Sequence, residues 1–453
     1  MSNFRPINRD TGFLLPPSVD EWLPQRHLAR FVVEVIDGLD LSELIKAYRG
    51  SGSASYHPAM LLGLLVYGYA TKSFSSRALE RATYDSVAFR FIAGNEHPDH
   101  DTIAAFRKRF LGQIEGLFVE VLKLAGAMGM LKMGTVALDG TKIHANASRH
   151  SALSYGHARK IEKQLKREVQ QLLKLAEKAD AKDIPDGMSI PEELERRETR
   201  LAAIAEAKAK IEGRAEERLQ REQAEHQSKM AVRAEQEKQT GKKPRGRPPE
   251  PPTGGVRDTD QVNLTDEDSR IMKVAGGGFD QCYNAQAVVA TGSMLIVAAE
   301  VTQAANDKGQ MMPMIEKLQS LPKELGRTRR ILADNGYLSE PNVERCTAAK
   351  IEPLIAMGRC RHHVSWKQRF ADAPQAPPDS ASATQKMAHR LKTPRGRKLY
   401  ALRKQTPEPV FGIIKSVMGY RQTLLRGLEN VKGEWNLVTM SWNIKRMFAM
   451  QAC

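Results

Sequence analysis

Two short apolar runs in this chain each stop on an aspartate: Val136-Ala137-Leu138 before Asp139, and Ile331-Leu332-Ala333 before Asp334. Runs of this length and type fit buried strands bounded by turns. A third acid, Glu408, stands between Pro407 and Pro409 at the head of a segment with helical periodicity, and proline is tolerated in a first helical turn. A single Asp after a strand is an ordinary turn residue. Carboxylates at the tips of two core strands, with a third on a packed helix, form a donor set for a hard divalent cation. Mg²⁺ takes oxygen ligands and keeps positions open for phosphate and water.

The rest of the sequence limits what such a centre can serve. With 453 residues the chain exceeds one ordinary core, so two or three domains are expected. Its formal net charge of +16 attracts polyanions without any sequence code. Cys282, Cys346, Cys360 and Cys453 show no metal-ligand spacing, which argues against a zinc site or a disulfide framework. Scattered thiols fit a reducing cytosol. The start lacks a basic-then-apolar leader, and the apolar run 60–70 is too short to span a bilayer. A soluble intracellular protein without a membrane partner is expected. GTVALDGTK lacks Walker spacing, so no nucleotide cofactor is expected.

Along the chain, residues 1–130 read as all-helical, with apolar steps over 19–45 and 58–69 and one long helix expected over 102–127. Arg107, Lys108 and Arg109 fall on the polar side of that helix and read as a solvated face. An extended stretch, 135–144, carries Asp139. A charged block follows, with Ile161, Leu165, Val169 and Leu172, then Leu194, Leu201, Ile204 and Ile211, at steps near 3.5 residues. This predicts a helical hairpin with coiled-coil character, broken at 184–187. A proline-rich linker comes next, and its Arg245 and Arg247, in Pro-Arg-Gly-Arg-Pro, resemble the core of an AT-hook that reads a narrow minor groove. CYNAQAVVA and MLIVAAEVTQ predict a β-hairpin around Thr291-Gly292-Ser293. A helix over 308–318, the Asp334 strand, a strand near 352–357, a loose loop over 371–384, and helices over 406–417 and 434–450 complete the expectation. Asp266, Glu267 and Asp268 read as a solvated loop, and Glu429 and Glu434 lie too near the end of the core to serve as the third acid.

A strand with Asp, a hairpin, a helix, a second strand with Asp and a late helix with Glu is the order of an RNase H-like core. The blocks LDGTKIHANAS, NLTDEDSRIMK, CYNAQAVV, LADNGY, EPVFGIIK and RGLENVKGEWNLV resemble those of bacterial insertion-sequence DDE transposases, in the branch written IS-eleven-eighty-two. YHPAMLLGLLVYGYATKSFSSRALE and HPDHDTIAAFRKRF extend the likeness over nearly the whole chain. The resemblance implies an α/β RNase H-like catalytic core with an all-α N-terminal domain and a helical-hairpin insertion. The expected division is 1–130 for the DNA-binding or dimerisation domain, 131–154 for the first part of the core, 155–256 for the charged insertion and linker, and 257–453 for the remainder.

It further implies that Asp139, Asp334 and Glu408 are the metal-binding triad, holding two Mg²⁺ or Mn²⁺ ions. The substrates would be element terminal inverted repeats and target DNA, and synapsis of two ends implies at least a homodimer. Tyr400, Arg403 and Lys415 match the residues that in the family contact the DNA backbone near the cut, although the gap from Arg403 to Glu408 is one residue longer than the pattern. The alternatives are an RNase H-like nuclease without strand transfer and an inactive transposase that only binds DNA.

Overall fold

The computed structural model describes residues 18–48, 55–177, 189–241, 243, 246–358 and 375–451. Among them, packing divides the chain into two compact units: one runs up to Asn146 and resumes at Met272, and the other spans Ala147–Ile271. Eight strands are present among the described residues: β1 Thr135–His144, β2 Ala152–Ser154, β3 Gln261–Asn263, β4 Arg270–Lys273, β5 Phe279–Ala290, β6 Ile296–Thr302, β7 Arg330–Ala333 and β8 Glu352–Ile355.

The first unit is a mixed sheet flanked by helices, preceded by a helical region. β6, β5, β1, β7 and β8 pair in that order. The hairpin partner β6 and β1 both run antiparallel to β5, whereas β7 is parallel to β1 and to β8. The centre of the sheet is buried on both faces, so β1, β5 and β7 carry continuous apolar runs and not an alternating pattern. On one face lies the helix Leu428–Gln451, whose Trp435 Nε1 donates to the Gln286 carbonyl at 3.1 Å. Its Asn443 accepts from Ile296 N–H and donates to the Ile296 carbonyl, both at 2.8 Å, which fastens the helix to β6. A further apolar cluster joins Ala137, Leu332 and Leu354 to Leu399, Tyr400 and Leu402.

The helix Pro58–Ala70 is buried almost all round, from Leu61 to Ala70. Such a helix belongs to the interior and not to a surface. The expected single helix over 102–127 is two, His100–Phe110 and Ile114–Ala127, separated by a 3₁₀ turn Leu111–Gln113. Apolar residues continue at helical steps through the break, so periodicity alone does not reveal it. The segment 19–45 is likewise three short helices, Val19–Trp22, Leu28–Asp37 and Ser42–Lys46. Arg107 is no solvated residue: its Nη1 donates to the Phe74 carbonyl at 3.0 Å and to the Tyr69 hydroxyl at 3.4 Å.

The second unit pairs the helix Tyr155–Glu177 with the long helix Ile190–Thr240 and a small antiparallel ribbon of β2 and β3. Leu165, Ile204, Ala207 and Ile211 close the seam with Leu153, Ala158 and Val262. Charges line the pair, with Glu162 to Lys208 at 2.7 Å and Glu168 to Arg197 at 2.9 Å. Asp266 is buried and not solvated; its N–H donates to Asn263 Oδ1 in the turn after β3. The predicted breaker at 184–187 lies outside the described residues, as does Arg245. No helix among the described residues is long and apolar enough to cross a membrane.

Candidate active site

Parallel pairing of β1 with β7 fixes the first two acids relative to each other. Ala137 is level with Leu332, and each acid comes two residues further along its own strand. β7 stops at Ala333, and Asp334 then caps a one-turn helix, Asn335–Tyr337, its Oδ1 accepting from Gly336 N–H at 2.8 Å. Asp139, in contrast, does not end its strand: β1 continues to His144, with Asp139 opposite Ala287 of β5. The antiparallel neighbour carries β1 past the point where β7 ends, which is why an acid expected at a tip sits in mid-strand.

Glu408 lies in the first turn of the helix Pro407–Gly412, anchored by buried Pro407, Val410 and Phe411. This helix passes directly into a π-helical turn, Ile413–Val417, in place of the regular helix expected to 417. The wider turn carries Lys415, whose Nζ donates to Thr141 Oγ1 at 2.5 Å and to the Lys142 carbonyl at 2.7 Å. Burial lowers the Lys415 pKa. Its ammonium is therefore tied to β1 just beyond Asp139.

The three acids meet at one side chain. Arg403 Nη2 is 3.2 Å from Asp139 Oδ2 and 3.6 Å from Asp334 Oδ2, and its Nη1 is 3.4 Å from Glu408 Oε1. The Arg403 side chain is 12% exposed and Asp139 15%, whereas Asp334 at 41% and Glu408 at 54% open to solvent. Burial disfavours the charged Asp139 and raises its pKa to about 6. Arg403 pulls against that rise, and Asp334 adds to it by repulsion. Burial also works against the Arg403 charge, yet the acids more than offset it and raise its pKa.

Among the described residues, no three His, Cys, Asp or Glu side chains are spaced as a finished metal centre. A guanidinium stands between the acids. The donor chemistry nevertheless suits a hard cation, because all the ligating atoms are carboxylate oxygens and all three acids face one positive group.

Of the other sequence candidates, Tyr400 lies within electrostatic reach of Arg403. Tyr400 packs on the Ala137, Leu332 and Leu354 cluster. Arg247, in the second unit, is exposed and pairs with Glu250 at 2.7 Å. One acid escaped the sequence analysis: Asp307, in the connection after β6, whose charge reaches Asp139 and Tyr337. Its only sequence signal is an aspartate between a strand and a helix.

Residues 17–109 match a transposase domain (DUF772), and residues 344–448 match a transposase DDE domain. Two separate stretches of the chain are thus similar to domains of transposases, one of them a DDE domain. No curated protein and no solved structure matches it. The match to the DDE domain contains Tyr400, Arg403, Glu408 and Lys415, while Asp139 and Asp334 precede it.

Proposed function

We propose that this transposase cuts DNA at the ends of its element and joins the freed ends to target DNA, with Asp139, Asp334 and Glu408 as its catalytic acids in an RNase H-like core. The observation that carries this reading is the single guanidinium shared by three carboxylates from β1, the end of β7 and the Pro407–Gly412 helix. A site that gathers three acids around one positive charge favours cations in general. Two Mg²⁺ or Mn²⁺ ions bound there would neutralise phosphate charge and ease deprotonation of the attacking hydroxyl.

The chain's own part is positioning and charge. Asp139, Asp334 and Glu408 would hold the ions, and Arg403 keeps the acids gathered until it moves towards the DNA backbone. Lys415 steadies β1 beside Asp139 and, with Tyr400, lies in the segment proposed to follow the strand being cut. Water attacks phosphorus at the element end, the P–O3′ bond breaks and the 3′-oxygen leaves as a hydroxyl. That 3′-hydroxyl then loses its proton and attacks a target phosphorus, where a new P–O bond forms as the target's own P–O3′ bond breaks and its 3′-oxygen takes up a proton. Phosphoryl transfer of this kind needs alignment and charge stabilisation more than covalent help. The same reading gives residues 1–130 to DNA binding or dimerisation, 155–256 to a spacer or self-association arm, and Arg245 with Arg247 to a minor groove. It also makes the working form at least a dimer in the bacterial cytoplasm, and keeps the IS-eleven-eighty-two branch as the expected placement.

The test mixes purified protein with labelled element ends and target plasmid in Mg²⁺ or Mn²⁺. Cleavage together with products longer than the substrate is the expected result. Cleavage without longer products would leave a nuclease, and binding without cleavage in any divalent metal would leave a DNA-binding protein. If Asp139→Asn and Glu408→Gln cut like the unaltered chain, the assignment of the acids is wrong.

A further inference from the structure

Asp307 stands between β6 and the helix Met311–Ser320, and nothing proposed above uses it. Its Oδ1 accepts two hydrogen bonds of 2.7 Å, from Asn284 Nδ2 and from Gln286 Nε2. Both donors are fully buried on β5. A carboxylate accepts and never donates, so it forces both amides to present their nitrogens. Gln286 is thereby fixed one way round, with Oε1 left to accept from the Tyr337 hydroxyl. Tyr337 belongs to the one-turn helix that Asp334 caps. The orientation of one buried amide thus links Asp307 to the seat of the second acid.

Two glycines admit this arrangement. A Cβ on Gly140, the residue after Asp139, would lie 2.3 Å from Gln286 Nε2 and 2.7 Å from Asp307 Oδ1. A Cβ on Gly336, two residues after Asp334, would lie 2.9 Å from Asp334 Oδ1 and 3.7 Å from Asp307 Oδ2. Asp307 Oδ2 and Asp334 Oδ1 therefore border the same small space. Arg403 meets the other oxygen of Asp334, Oδ2.

We propose that Asp307 is a positioning residue of the transposase site, which locks Gln286 and Tyr337 so that the Asp334 turn stays level with Asp139, and which adds negative charge to the cation-binding cleft. A neutral acceptor would orient Gln286 without adding repulsion among neighbouring acids. The charge gains a purpose if cations are to be drawn in. The inference rests on the metal-dependent reading above, and its test separates the two.

The full chain is titrated with Mn²⁺ alone while free Mn²⁺ is followed by electron paramagnetic resonance, for the unaltered protein, Asp307→Asn and Asp139→Asn. The expected result is a loss of Mn²⁺ affinity of about tenfold in Asp307→Asn, typical of residues that orient metal ligands, with an unchanged melting temperature in chelator. Unchanged affinity in Asp307→Asn beside weakened binding in Asp139→Asn overturns the inference and leaves the functional reading standing. Unchanged affinity in both overturns both. Should Asp307→Asn fail to fold, backbone cutting of the unaltered chain by bound Fe²⁺ with peroxide decides. Cuts at 305–309 and 335–337, in addition to those near 139, support Asp307, and cuts near 139 and 408 only overturn it.

Discussion

Glu434 is buried and Asp139 is largely enclosed, and the surroundings of these two carboxylates of the first unit treat the charge in opposite ways. Glu434 is wholly buried and accepts from the Tyr69 hydroxyl at 2.9 Å, from Leu424 N–H at 3.1 and 3.2 Å, and from Leu425 N–H at 3.1 Å. Asp139 has one backbone donor, its neighbour Gly140 at 3.0 Å, and must share Arg403 with two other acids. Burial raises the pKa of both. At Glu434 the fold supplies donors for the charge locally, as most buried polar groups require. At Asp139 it gathers like charges and leaves them short of positive partners. The first pattern is a structural knot; the second is the pattern that the proposed cation-binding site would require.

The largest expected effect separates the two by activity. Asp139→Asn should lower end cleavage by about a thousandfold or more, equivalent to about 4 kcal/mol of transition-state stabilisation, while the protein stays folded. Single-turnover cleavage and a melting curve on the same preparation check it. Retained cleavage would place Asp139 with Glu434 as a packing residue.

Glu434→Ala should do the converse. It would leave the Tyr69 hydroxyl and two backbone N–H groups buried without an acceptor, each worth about 1–3 kcal/mol. A stability loss on the order of 4 kcal/mol in urea titration is expected, with cleavage per folded molecule unchanged. A normal stability with lost cleavage would make Glu434 a site residue and reverse the contrast.

How much of this contrast the sequence revealed depends on local pattern. The strands carrying Asp139 and Asp334 were legible because apolar runs and turn residues bracket them. Glu408 was legible because two prolines mark a helix start. Glu434 was set aside for its position alone, whereas its four short contacts come from segments brought together only by folding. Arg403 among the acids was not legible, since a one-residue change in spacing says nothing about where a long side chain points. Asp307 was hidden for a different reason. In CYNAQAVV, read as one arm of a hairpin, Asn284 and Gln286 are polar, yet both are fully buried in a sheet covered on both faces. A polar row buried between layers needs an acceptor, and only the three-dimensional structure shows that a distant loop supplies it. The break at 111–113 and the π-helical turn after Glu408 likewise interrupt no hydrophobic period.

The pH dependence of stability sharpens the contrast at Asp139. Its folded pKa, about 6, lies above the ordinary aspartate value of 3.8, so the folded state holds the proton more tightly than the unfolded chain does. Ionised Asp139 therefore costs stability above pH 6, by an amount on the order of 2–3 kcal/mol, and that cost disappears as pH falls from 6 towards 4. In chelator, Asp139→Asn should be more stable than the unaltered protein at pH 7.5, and the gap should close at pH 4.5. Denaturant titrations at the two pH values measure it. A gap independent of pH would mean that packing, and not charge, distinguishes the two chains.

Arg403 gives the smallest and most specific effect. Removing the guanidinium in Arg403→Ala leaves Asp139, Asp334 and Glu408 repelling one another, but Asp334 and Glu408 are 41% and 54% exposed and partly screened. Asp139, the one enclosed partner, can take up a proton once Arg403 no longer holds its pKa down, so a loss of only about 1 kcal/mol is expected, set by the two half-exposed pairs. What matters is its response to metal. If a divalent cation takes the position that Arg403 now holds, Mn²⁺ should raise the melting temperature of Arg403→Ala more than that of the unaltered protein, because the variant has no guanidinium to displace and gains the full neutralisation. Glu434→Gln, altered in the knot that already satisfies its own charge, should respond to Mn²⁺ as the unaltered protein does. Equal Mn²⁺ responses from Arg403→Ala and the unaltered chain would mean that the cation binds away from the guanidinium, and the shared ion pair would then be structural, like the contacts of Glu434.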